Sequence, residues 1–177
     1  MDESPLLIVI SGLPGTGKTT VAERLAEELG ATHISIDTVE DNLLEQGFEP
    51  SWSTGVAAYE AARANAETEL ESGRRVVVDA VNDSEPARET WRRAARATGA
   101  RLSFVVLEVS DPEVHRQRLE NRRRNLTHVQ EPSWADVQAR KESFETWTDD
   151  HLRVVVSSMS LDAVNIDVMK YLASECD

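Results

Sequence analysis

Cysteine is nearly missing from this chain: one residue in 177, Cys176, next to the last position. A single thiol forms no intrachain disulfide and builds no cysteine metal cluster. Lysine is scarce as well, with only Lys18, Lys141 and Lys170. The longest apolar run is Leu6 to Ile10, far short of the ~20 residues that span a bilayer. The opening residues Met1-Asp2-Glu3 lack the basic stretch that begins a signal peptide. These absences lead to the expectation of a protein of the reducing cytoplasm, without a membrane partner. Long disordered, collagenous or coiled-coil readings fail too, because 40% hydrophobic and 29% charged residues is an ordinary globular balance. The length fits one domain.

What is abundant is negative charge. Acidic residues number 32 against 19 basic ones, a formal net charge of −13. Such a surface repels phosphate backbones, so nucleic acid is not an expected partner. The charge is unevenly spread. Residues 116–124 hold five arginines and one glutamate, whereas residues 37–49 hold five acidic residues and no basic one. A basic island on an acidic body suits a compact anion.

Apolar runs alternate with helical patterns. Strands are expected at Leu6–Ser11, Thr32–Ile36, Arg75–Asp79, Leu102–Glu108 and Leu152–Val156, mostly continuous apolar runs of the kind buried on both faces of a parallel sheet. Between them, Val21, Leu25 and Leu29 recur every four residues. Leu161, Val164, Val168 and Leu172 follow similar helical spacing. An Ala-rich helix is expected from Ser53 to Ser72. Asp111-Pro112 reads as an N-cap followed by proline at the first helical position, and Ser133 as the cap of another helix. Alternating strands and helices imply a three-layer α/β fold with a parallel sheet.

The strongest motif is Gly12-Leu13-Pro14-Gly15-Thr16-Gly17-Lys18-Thr19, a full match to G-x-x-x-x-G-K-[ST] directly after the first strand. Glycines let the backbone curl so that successive N–H groups face one phosphate, and the following helix adds its positive end. Lys18 is expected on the β and γ phosphate oxygens and the Thr19 hydroxyl on Mg²⁺. Thr20 completes the expected ATP-binding stretch. The motif gives nucleotide binding and leaves the reaction open. No Asn-Lys-x-Asp motif for guanine is evident, which disfavours a GTPase.

The basic island, Glu113 to Arg124, reads as helical. There Arg118 and Arg122 fall four apart on one face, able to clamp a transferring phosphoryl group. Residues of about 116–132 then form a small lid that excludes water. Arg116, Arg123 and Arg124 are lesser candidates, and a plain solvated helix face is the competing reading. Asp37, at the end of the second strand, is placed to take a proton from an acceptor hydroxyl, or to cap the next helix, or both. Asp79 ends Val76-Val77-Val78-Asp79. It fits either a Mg²⁺-holding strand-end carboxylate or a turn residue, and the sequence leaves both open. His33, His115, His128 and His151 have no metal-ligand spacing and read as surface or packing residues. Trp134, Phe144 and Trp147 read as core.

With these residues in place, the chain resembles P-loop small kinases of the AAA-domain predicted-kinase family, relatives of polynucleotide 5′-kinase, gluconate kinase, zeta toxins and chloramphenicol phosphotransferase. The resemblance runs from about Leu6 to Val156. It is carried by the phosphate loop, by Val76-Val77-Val78-Asp79-Ala80-Val81-Asn82, by His115-Arg116-Gln117-Arg118-Leu119-Glu120-Asn121-Arg122, and by Pro132-Ser133-Trp134-Ala135-Asp136-Val137. It implies a five-stranded parallel sheet of order 2-3-1-4-5, ATP as donor and Mg²⁺ as metal. It also implies that Asp37 is the acceptor-side carboxylate, and that Arg118 and Arg122 are lid arginines. Many such relatives carry an arginine shortly after that aspartate, for an acceptor phosphate. Here Thr38-Val39-Glu40-Asp41-Asn42 follows. The expected activity is therefore phosphoryl transfer from ATP to a hydroxyl of a small neutral or cationic molecule. A polynucleotide 5′-hydroxyl kinase and an ATPase switch without an acceptor are the alternatives.

Overall fold

β1 (Leu6–Ser11) is buried along its whole length and sits at the centre of the sheet. The computed structural model describes residues 5–175; Cys176 lies outside them. After β1 come α1 (Lys18–Leu29), β2 (Thr32–Ser35), α2 (Ile36–Glu45), α3 (Trp52–Glu71), β3 (Val76–Ala80) and α4 (Glu85–Thr98). The chain continues through β4 (Arg101–Glu108), α5 (Pro112–Glu120), α6 (Trp134–Ser143), β5 (His151–Val155) and α7 (Leu161–Ser174). All paired strands are parallel, in the order β2-β3-β1-β4-β5. This is the expected three-layer α/β fold.

The period-2 geometry of a strand decides the two layers. Ile8 and Ile10 point to one face, where they pack with Val21 and Leu25 of α1 and Val168 of α7. Leu7 and Val9 point to the other, against Ala58, Ala62 and Ala66 of α3 and Trp91 of α4. The alanines repeat every four residues, so α3 presents a smooth stripe that lies close on the sheet. Each large apolar side chain buried here contributes about 1.5–3 kcal/mol.

Local signals set several boundaries. The Asp111 carboxylate accepts the Glu113 and Val114 N–H groups at 2.9 and 3.3 Å, with Pro112 behind it. Ser133 and Asp136 form a reciprocal capping box at the start of α6. The helix expected through Arg124 stops at Glu120, with Asn121 as its cap. Arg118 and Arg122 therefore do not share a helix face. Three successive arginines repel one another along a helix, and partners outside it draw them away, as described below. The sequence-expected second strand likewise ends one residue early, at Ser35, and Ile36 opens α2.

One buried charge ties α4 to the segment before β5. Arg88 of α4 is 0% exposed. It donates to the carbonyls of Asn82 (3.0 Å), Thr146 (2.8 Å) and Glu145 (2.5 Å), and its guanidinium lies 4.0 Å from the Trp147 ring centre. Three nitrogens donating to carbonyls, the Glu85 carboxylate at 3.6 Å and an aromatic face make such burial tolerable. Among the described residues no helix is long and apolar enough to cross a membrane.

Candidate active site

The phosphate loop leaves the C-terminal edge of β1, the position where ligands bind in parallel α/β sheets. Gly12 has φ +144°, and a Cβ there would come within 2.5 Å of the Leu107 carbonyl oxygen. Glycine alone lets the loop pass so close to β4. The loop then folds back on itself: the Thr16 Oγ1 and the Lys18 Nζ both donate to the Leu13 carbonyl, at 2.8 and 3.0 Å. From outside, His115 of α5 donates from Nε2 to the Pro14 carbonyl at 2.7 Å, and Trp134 meets its ring edge-on. His115 packs as expected, and it also fixes the loop. Burial, the leading cause, holds its imidazole below the usual histidine range.

Lys18 is the first residue of α1 and only 9% exposed. Burial is the main influence on its ammonium and lowers the pKa to about 8, against the opposing pull of Asp37 and Asp79. A cation held out of water, with its one hydrogen-bond acceptor a carbonyl, is poised for an anion.

Asp79 lies within β3, paired to Ile10 and Ser35 rather than in a turn. Its carboxylate accepts from Thr19 Oγ1 (3.0 Å) and Ser35 Oγ (3.2 Å) and meets His33 Nε2 at 2.6 Å. His33 is thus a site residue that its sequence context concealed, since there it reads as a surface or packing residue. The Thr19 hydroxyl and Asp79 carboxylate form a hard oxygen pair suited to Mg²⁺. No group of three or more His, Cys, Asp or Glu among the described residues could hold a metal by itself. A cation at this pair would complete its shell with other oxygens, from water or phosphate.

Asp37 is the second residue of α2. Ser35 occupies the cap position, and no side-chain capping bond forms there. Asp37 instead pairs with Arg122 Nη2 at 3.3 Å and with Arg124 Nη1. Both arginines also reach Glu131, at 3.7 and 2.5 Å. They are 15% and 12% exposed, so Arg124 is as deeply placed as Arg122, contrary to its expected minor standing. Arg122 Nη1 is buried with no hydrogen-bond partner among the described residues, and burial lowers the pKa of its guanidinium. Arg118 stands apart. It donates to the Val156 carbonyl at 2.8 Å and lines the same cavity from the β5 side.

Two cavities meet here. The larger, about 520 Å³, opens over Gly15, Gly17, Thr19, Thr20 and Arg118. The smaller, about 270 Å³, is walled by Glu40, Leu44, Pro50, Val81, Val129 and Pro132. Lys18, Asp37, Arg122 and Arg124 line both. Burial first, and then the neighbouring Asp37 charge, push the Glu40 carboxyl above the usual range.

A parallel sheet of this order, with this loop feeding α1 and a hydroxyl–carboxylate pair beside it, defines a P-loop nucleotide-binding protein with the kinase fold. The chain belongs to the AAA domain family, whose sequence profile matches residues 7–146. It is 29% identical over 144 residues to the adenylate kinase isoenzyme 6 homolog of Schizosaccharomyces pombe, covering 78% of this chain and 75% of that one. Its fold is similar to that of a gluconokinase from Sinorhizobium meliloti 1021, with TM-score 0.69 at 22% identity over 97% and 93% of the two chains. It is also similar to Mycobacterium tuberculosis APS kinase CysC in complex with AMPPNP and APS, with TM-score 0.71 at 17% identity over 96% and 98%.

Proposed function

We propose that this protein is an ATP-dependent kinase that moves the γ-phosphoryl group to a hydroxyl of a small neutral or cationic molecule. The observation that carries this reading is the shared wall: one lysine, one carboxylate and two arginines stand between a phosphate-loop cavity and a second, smaller one. Donor and acceptor in adjoining cavities with a carboxylate at the junction is the geometry that in-line transfer needs.

ATP phosphates take the loop N–H groups and Lys18. Thr19 and Asp79 would hold Mg²⁺, which would supply positive charge beside the phosphate oxygens. As the γ-phosphoryl group arrives, Arg122 and Arg124 exchange Asp37 for it. Arg122 Nη1, without a hydrogen-bond partner among the described residues, gains one. Asp37, released from its ion pairs, accepts the proton of the acceptor hydroxyl and orients its oxygen. Once the shared cations are engaged by ATP, the remaining wall of the smaller cavity is Asp37, Glu40, Gln130, apolar side chains, His128 and Arg140, the last paired to Asp83 at 3.3 Å. That balance favours an uncharged or cationic acceptor over a phosphorylated one.

The test is an acceptor screen that follows ADP release above the bare ATPase rate. Hydroxylated amines and neutral alcohols are expected to turn over best. Best turnover with sugar phosphates, nucleoside monophosphates or nucleic-acid 5′ ends overturns the acceptor class. No acceptor-dependent turnover at all favours a switch.

The arginines give a graded expectation. Arg122→Ala and Arg124→Ala should each lower kcat by about 10²-fold or more with smaller changes in ATP affinity, because charge on the phosphoryl oxygens grows in the transition state. Arg118→Ala, whose guanidinium is held by the Val156 carbonyl, should cost less. Equal and small effects for all three in steady-state kinetics contradict the clamp.

A further inference from the structure

One turn beyond Asp37, α2 carries another carboxylate, Asp41, which points to the same side of the helix. Three successive backbone N–H groups converge on it. Thr127 donates at 3.1 and 3.2 Å to its two oxygens, and His128 and Val129 donate at 2.6 and 2.9 Å. The His128 ring Nδ1 stands 3.8 Å away. The amide bonds, that of Val129 foremost, hold the Asp41 carboxyl below its usual range. Residues 127–129 are the apex of the stretch 121–133, which has no helix or strand of its own. Arg122 and Arg124 lie at its start, and His128 and Val129 wall the smaller cavity.

A structureless stretch of this length is ordinarily free to move unless something fastens it. Here there are two fastenings on α2: the arginine pairs to Asp37, and the amide bonds to Asp41. In the proposed reaction the first is given up to ATP. The second rests on backbone amides and does not draw on those arginines. We propose that Asp41 is a positioning residue that fastens the apex of 121–133 over the acceptor cavity, keeping Arg122 and Arg124 aligned while they exchange Asp37 for the γ-phosphoryl group. The consequence for ATP rests on the kinase reading above; the fastening itself does not.

Hydrogen exchange of the full chain without nucleotide tests the fastening. Amides of Thr127, His128 and Val129 are expected to be protected, and to exchange roughly tenfold faster or more in Asp41→Ala while β1 amides are unchanged. Asp41→Asn keeps an acceptor oxygen without the charge and should lie between. Should Asp41→Ala loosen β1 too, Asp41→Asn decides by the same local measure. Undiminished protection at 127–129 overturns the proposal. AMPPNP binding measured by calorimetry tests the consequence. Its Kd should weaken about tenfold in Asp41→Ala and recover partly in Asp41→Asn, because apparent affinity scales with the aligned fraction. An unchanged Kd alongside lost protection overturns the alignment. Failure of the unsubstituted protein to bind AMPPNP instead counts against the kinase reading, and the exchange result on Asp41 still decides the fastening.

Discussion

Lys18→Ala is expected to abolish phosphoryl transfer and to weaken ATP binding. The other two lysines, Lys141 and Lys170, line neither cavity. Arg122 and Arg124 lie beyond α5 and pair with Asp37, so they are not expected to replace a cation at the loop. Removing a preorganised charge of this kind costs about 10²–10³-fold in rate even when other donors remain, and here the same group also binds the ground state. A second signature comes from its acidity. With a pKa of about 8 against the ordinary 10.5, Lys18 is charged below pH 8 and largely neutral above it in the nucleotide-free protein. The unfolded chain keeps that proton up to the ordinary value, so the burial penalty is full below pH 8 and diminishes as pH rises between the two values. Nucleotide binding works the other way. Phosphate stabilises the ammonium, so above pH 8 binding must be accompanied by uptake of about one proton, and affinity should fall by about tenfold per pH unit. Calorimetry of AMPPNP in buffers of different ionisation enthalpy reads that proton directly. Turnover near normal in Lys18→Ala, or a pH-independent affinity with no proton uptake, contradicts the role given to the loop.

Asp37→Asn should leave the fold and AMPPNP binding in place and eliminate acceptor-dependent turnover, by about 10²–10⁴-fold for loss of a general base. The fold is expected to survive because Asp37 does not cap α2; its side chain faces Arg122 and Arg124. An amide in its place still accepts a hydrogen bond from one of them. AMPPNP binding should hold or tighten, since the arginines no longer leave a carboxylate to meet the phosphates. Comparing ADP release with calorimetric Kd separates the two effects. A variant that retains full turnover makes Asp37 an electrostatic tether for the lid arginines and nothing more.

Much of this architecture is written in local patterns. The phosphate loop needs glycines at fixed offsets, and the apolar strands need both faces covered, so loop and sheet can be read along the chain. Capping at Asp111 and Ser133 is equally local. What escaped the sequence depends on pairings far apart in it. His33 looks like any strand residue until β2 aligns beside β3 and brings it to Asp79, 46 positions away. Arg124 looks like one arginine among several until Asp37, 87 positions earlier, draws it inward. The helix expected through that stretch fails for the same reason, because local spacing favours continuing the turn and the distant carboxylates of Asp37 and Glu131 favour leaving it. Asp41 carries no local signal at all, since what it binds is backbone.

The four tryptophans fall into unlike surroundings, and this gives the molecule its own optical labels. Trp52 is 85% exposed and reports bulk solvent. Trp91 is sealed beside Tyr59, and Trp147 lies against Phe104 and the Arg88 guanidinium, so both report the integrity of the core. Trp134 is different: its indole meets the His115 ring at 5.2 Å, and that ring is bonded to the Pro14 carbonyl of the phosphate loop. A fluorophore two contacts from the phosphate loop is expected to make loop occupancy visible by emission. With Trp52, Trp91 and Trp147 replaced by Phe, one remaining indole would follow ATP entry in real time without an attached dye.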